Sequence, residues 1–255
     1  MWAALAATFA FVTLPIAALL TANSPSELIH QLSSSEARDA LLLSLECSVI
    51  AIVVIIVVGT PTAWLLATRR FPGRSVAITM IELPLVLPPA VAGIALLAAF
   101  GPLGTLGGVE KSLGIQLVLE TAGVVVALIF VAAPFHIRQA EAAFAALDPN
   151  LREAAETLGA SDARTFLKVA VPTTFPALAA GATLAFARAL GEFGATLMFA
   201  GSLRGVTQTA PLAIYEGFGT NLPGAEALAA VLVAAAAALL LTVRLFTNRW
   251  AESNV

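Results

Sequence analysis

The chain has 255 residues, of which 59% are apolar and only 11% charged, and its net charge is −3. Soluble domains carry roughly a quarter charged residues, so this chain lacks the polar surface to cover a water-soluble core. The acid excess and the lack of any lysine- or arginine-rich run argue against a nucleic-acid partner. One cysteine, Cys47, and two distant histidines, His30 and His136, leave no disulfide framework, no CxxC site and no zinc-type ligand spacing.

A spanning helix needs about 20 mostly apolar residues. Six segments qualify, at residues 2–21, 41–68, 76–100, 117–137, 173–200 and 225–247, within a single membrane domain covering 1–255 and without internal repeats. No lysine or arginine precedes the first span, and its apolar run exceeds a usual signal-peptide core. A retained helix is therefore expected rather than a leader cleaved near Thr21-Ala22-Asn23-Ser24. The connection 23–40 reads as a polar loop with a short helix starting near Ser35-Glu36. In the third span Pro84, Pro88 and Pro89 each remove a backbone donor and should bend or break the helix. Glu82 stands just before them, either as an interfacial charge or as part of a translocation pathway.

The basic residues set an expected orientation. Arg69, Arg70 and Arg74 fall in the second connection, Arg138, Arg152, Arg164 and Lys168 in the fourth, and Arg244 and Arg249 at the C-terminus. Only Arg38, Lys111 and Arg204 occupy the alternate connections. The second and fourth connections and both termini are thus expected in the cytoplasm.

The fourth connection, 138–172, is too structured for coil. Glu141 to Leu147 is a strong helix former. Asp148-Pro149 then reads as the N-cap and first position of a new helix, which Gly159 should close in a left-handed conformation. Ser161 starts another helix, with Asp162 in its first turn. Within this segment the order is Glu153-Ala154-Ala155, then Gly159, then Val169-Ala170-Val171-Pro172. The pattern resembles the EAA loop of ABC importer permeases, the helix-turn-helix by which a membrane subunit docks onto a separate ATPase. The resemblance implies that Glu153, Ala154, Ala155, Gly159 and Pro172 serve ATPase coupling. The chain has no phosphate loop of its own: Lys111-Ser112 follows Glu110, and Lys168 is followed by Val169.

Within the fifth span, Arg188 and Glu192 are spaced by four, which puts them on one helical face near mid-depth. Charges there cost at least ~2.5 kcal/mol each, so they should face protein or water. Gly191 and Gly194 flank Glu192 and permit close approach or a bend. Two roles remain open from the residues alone, a neutralised structural pair or a lining of the conduit in which Arg188 offers positive potential to an anion.

The run Arg188-Ala-Leu-Gly-Glu192-Phe-Gly-Ala-Thr196, with Thr207-Gln-Thr-Ala-Pro211, Leu83-Pro-Leu-Val-Leu-Pro88-Pro89 and Phe100-Gly-Pro-Leu-Gly104, is similar to the molybdate, tungstate and sulfate branch of these permeases. Departures are mild, with Val169 and Val171 where Ile and Leu are commoner, and Ala210 where a bulkier residue is usual. The resemblance implies an all-α polytopic protein with six transmembrane helices and a type I ABC importer permease fold. It further implies a homodimer, two copies of a cytoplasmic ATPase, an extracytoplasmic oxyanion-binding protein, and no cofactor or metal. Arg188, Gly191, Glu192, Gly194, Thr196, Glu82, Pro88 and Pro89 would then belong to the pathway or gate. A sulfate or thiosulfate importer is the nearest alternative. An ion-coupled secondary transporter is the rival of another class, though it would normally show repeat-related halves. A membrane enzyme is the weakest, because the spans hold no catalytic constellation.

Overall fold

A computed structural model describes residues 1–253, apart from the side chains of Arg244 and of 246–253. Arg244 and Arg249, used above for orientation, therefore lie outside the described side chains. The regular structure of the described residues is helical, and five helices are long and apolar enough to cross a membrane. The first, α1 (Trp2–Thr21), buries no residue within the chain. A short α2 (Pro25–Leu32) follows, with the Ser24 hydroxyl accepting from the Glu27 N–H and Pro25 in the first turn. Next comes α3 (Ser35–Thr68), capped by Ser34. Ser35 thus opens the long span itself, and the short helix of this connection lies earlier than the sequence suggests. Pro25 and the Ser24 cap account for that shift.

The third span is split in two, α4 (Arg74–Val86) and α5 (Pro89–Phe100). Pro88 forces Leu87 out of the helical region, to φ −68°, ψ 134°. Pro89 then opens α5, where a missing N–H costs nothing. A short helix, α6 (Gly107–Leu113), leads to α7 (Thr121–Ala145). This helix runs past the expected end at Ile137, because the alanine-rich stretch continues it to the Asp148-Pro149 stop. Three short elements follow: α8 (Pro149–Thr157), α9 (Asp162–Thr165) and a π-helical turn at Phe166–Ala170. The turn passes directly into α10 (Val171–Leu190), so Pro172 sits inside a continuous helical run rather than at a boundary. The chain ends with α11 (Gly194–Ala200), α12 (Ala210–Thr220) and α13 (Leu222–Ser253).

The central element is α7. Val124, Leu128 and Ala132 pack with Leu43, Cys47, Ala51 and Ile55 of α3, with Ala185 and Ala189 of α10, and with Ala200 of α11. Small residues dominate this seam, as expected where apolar lipid supplies no hydrophobic drive and close packing must hold helices together. Gly59 and Gly181 allow α3 and α10 to approach His136, whose ring Nε2 hydrogen-bonds the Thr60 hydroxyl at 2.8 Å. Towards the arginine-rich side, Trp64 meets Phe144 edge-on, 5.3 Å between ring centres. With Phe166, Ala170 and Leu178 this aromatic cluster anchors the base of the α8 segment.

Candidate functional site

Two regions carry the chemistry. In the first, Asp148 caps α8 by accepting from the Asn150 N–H at 2.9 Å. The helix closes through a paired terminus in which Gly159 N–H donates to the Glu156 carbonyl and Ala160 N–H to the Ala155 carbonyl, 3.0 Å. Gly159 takes φ +77°, and nothing lies within 4 Å of where a Cβ would stand, so the glycine is required by its backbone conformation and not by crowding. Ser161 then caps α9, and Asp162 pairs with Arg69 at the end of α3.

The α8 surface is divided. Ala155 faces inward, 9% exposed, whereas Ala154 and Glu153 are exposed, so the two alanines do not share a contact face. Leu151 and Leu158 are also exposed apolar side chains, Leu158 at 86%. Glu153 makes no ion pair among the described residues, while Arg152 pairs with Glu156 at 3.2 Å. A groove of about 190 Å³ runs along the inner side, lined by Trp64, Thr68, Phe144, Asp148, Arg152 and Glu153.

At the root of this segment lies an ionic network not anticipated from the sequence. Arg138 of α7 reaches Glu82 of α4 at 2.7 Å and also pairs with Glu141. Glu141, nearly buried, receives Arg74 at 3.0 Å on its other oxygen, and Arg74 Nε donates to the Leu66 carbonyl at 2.8 Å. Glu82 thus joins α4 to α7 on this face. The Arg138–Glu141 spacing was a visible helix-pair signal. The partnership with Arg74 and Glu82 depends on helix packing that no local pattern encodes.

The second region is the interruption between α10 and α11. Regular helix stops at Leu190, and Gly191 to Phe193 form a break. Arg188, in the last turn of α10, reaches Glu192 at 2.5 Å. Their pairing spans the break, so the two do not share a continuous helical face as the spacing implied. The Glu192 side chain is 1% exposed and its other oxygen accepts from the Ala195 N–H at 2.7 Å, capping α11. The Arg188 side chain is 29% exposed. Gly194 lies against Pro89, 2.6 Å from an added Cβ, and Gly93 of α5 lies equally close to the Ala195 carbonyl. The proline-broken third span and the broken fifth span therefore seat on each other, which brings Pro88, Pro89, Gly191, Glu192 and Gly194 into one place. Thr196 is fully buried and its hydroxyl makes no hydrogen bond among the described residues, so in this arrangement it faces no open path. Thr207, Gln208 and Thr209, between α11 and α12, are also buried. Thr207 accepts from the Leu203 N–H and Gln208 donates to Glu216, which fixes the loop before α12.

Residues 59–253 match the family of binding-protein-dependent transport system inner membrane components. The chain is 40% identical to the molybdenum transport system permease protein ModB of Mycobacterium tuberculosis, covering 91% of this chain and 88% of that one. It is 36% identical to the probable transport system permease protein NifC of Clostridium pasteurianum, over 93% and 83%. The sulfate transport system permease protein CysT of Escherichia coli is 37% identical, over 78% and 72%. Among solved structures, a bacterial ABC transporter involved in alginate import shares the fold with TM-score 0.76 at 18% identity, covering 99% of this chain and 94% of that one. The methionine ABC transporter MetNI gives TM-score 0.64 at 19% identity, over 82% and 94%. The chain belongs to the binding-protein-dependent transport system inner membrane components, the multi-pass permease subunits of ABC importers.

Proposed function

We propose that this permease moves a tetrahedral oxyanion, molybdate or its close analogue tungstate, into the cytoplasm. The observation that carries this reading is the 40% identity to a molybdenum permease over nearly the whole chain, joined to an arginine at the helix break that keeps part of its side chain exposed. The working unit is a homodimer with two cytoplasmic ATPase subunits below and an oxyanion-binding protein above. Both termini and the α8 segment lie in the cytoplasm, as the arginine distribution favours.

In this mechanism α8 seats in a cleft of the ATPase, with exposed Leu151, Ala154 and Leu158 as the contact surface and Glu153 available to a basic group. ATP-driven closure of the ATPases draws the two α8 segments together. The displacement passes through α7, whose root is tied to α4 by Arg138 and Glu82. From there it reaches the seat of α5 against α11, and access to the conduit alternates. The permease needs to hold the anion only weakly, since the binding protein delivers it. Glu192 neutralises most of the Arg188 charge, which suits a passage site better than a storage site.

A sulfate importer is the second reading, favoured by the similarity to a sulfate permease. Labelled molybdate uptake into vesicles carrying the complete transporter separates the two. Competition by tungstate but not by sulfate is the expected result, and suppression by sulfate assigns the chain to sulfate import.

A further inference from the structure

Away from both regions, a cavity of about 360 Å³ opens between α3, α7, the π turn and α10. Its walls include Ile56 and Val57 of α3, Leu167 of the π turn, and Phe175, Ala179 and Ala182 of α10. Its polar end is Thr60 with His136, whose Nε2 hydrogen-bonds the Thr60 hydroxyl while the buried Nδ1 has no partner among the described residues, and the rest of the lining is apolar. The cavity is therefore shaped for an apolar occupant. At about 100° per residue, Ala179 stands on the side of α10 opposite Arg188. If Arg188 faces the conduit, this cavity faces the bilayer.

Its depth and its charge identify the occupant. Thr60 lies roughly 12 Å short of the α3 end at Thr68, within the thickness of one leaflet. Directly beyond Leu167 comes Lys168, three and seven residues before the cavity-lining Val171 and Phe175, and Arg164 precedes it by one turn. Both cations are exposed and neither makes an ion pair among the described residues. Of the other basic side chains of this face, Arg69, Arg74, Arg138 and Arg152 have carboxylate partners, and Arg70 is the further exposed cation without an ion pair among the described residues. An apolar slot in the inner leaflet, with two uncompensated cations beside its lining residues along the chain, has the chemistry of an anionic phospholipid site.

We propose that an anionic phospholipid occupies this place, one acyl chain in the cavity and its phosphate at Lys168 and Arg164. The site sits where the α8 segment joins the membrane, at the π turn, so an occupied cavity would brace that elbow. The proposal rests on the orientation and conduit reading above, but its test involves no solute, so failed molybdate uptake would leave it standing.

The test is native mass spectrometry of the permease–ATPase complex after exposure to phosphatidylglycerol or to phosphatidylcholine with the same chains. Selective retention of phosphatidylglycerol is expected. Replacing both cations (Arg164→Gln with Lys168→Gln) should lower that retention by roughly tenfold or more. Ala179→Leu narrows the cavity without touching charge and should lower it as well, and Ala182→Val serves if Ala179→Leu fails to fold. Equal retention of the two lipids, or full retention in the cavity variants, would overturn the proposal. Loss of the ATPase from the double glutamine variant with unchanged lipid retention would also overturn it, assigning the cations to the ATPase surface.

Discussion

Two of the breaks in the second half of this chain, at Gly159 and at Gly191, are built in opposite ways. At Gly159 the backbone turns through a left-handed residue in open space, flanked by exposed side chains and closed by main-chain hydrogen bonds alone. At Gly191 the helix ends beside a buried carboxylate that caps the next helix and holds an arginine, and the following glycine is pressed against a proline. The first break depends on local backbone preference. The second depends on tertiary contacts between two helices that are each interrupted. The difference predicts that mutations at the first will affect partner docking with little cost to the permease itself, whereas mutations at the second will affect the fold.

The largest effect should come from Glu192→Ala. It leaves Arg188 unpaired and α11 uncapped, at a cost of about 3–5 kcal/mol, visible as lost thermal stability of the purified permease. The charge swap Arg188→Glu with Glu192→Arg sharpens this point. If the two residues were only an ion pair, the swap would restore stability. Because Glu192 also accepts from the Ala195 N–H, an arginine there cannot replace it, and rescue should be incomplete. Full rescue would show that the cap is dispensable.

Glu141→Gln ranks next. It loosens the contacts to Arg74 and Arg138, with an expected loss on the order of 2 kcal/mol and a larger fractional loss of transport than of ATPase activity. Gly159→Val forces a β-branched residue to φ +77°, a strain of about 1–2 kcal/mol. Membrane insertion should survive while the ATPase no longer co-purifies. The smallest effect on stability is expected from Ala154→Leu, since that side chain is exposed, and its cost should appear only in ATPase affinity. Ala155→Leu, facing inward, should instead destabilise by about 1–3 kcal/mol. Equal behaviour of the two alanine variants would contradict the division of the α8 surface.

The same contrast explains what could be read from the residues alone. Features fixed by local chemistry were legible. Asp148-Pro149 and Gly159 bounded α8, Pro88 and Pro89 divided the third span, and apolar length marked the first span to the residue. Features set by packing were not. Nothing in the sequence places Glu82 against Arg138, directs Ala155 inward and Ala154 outward, or buries Thr196. The Arg188–Glu192 pair falls between these cases. Spacing brought the two charges together, but the helix break that makes Glu192 a cap arises from Gly194 fitting onto Pro89 across the bundle.

The most direct test of the account is labelled molybdate uptake, with and without ATP, in vesicles carrying the complete transporter with either the native chain or Gly159→Val. The account predicts ATP-dependent uptake by the native chain and none by the variant, although the variant is inserted normally. Uptake that persists without ATP, or equal uptake by the two chains, would contradict the claim that α8 links this conduit to an ATPase.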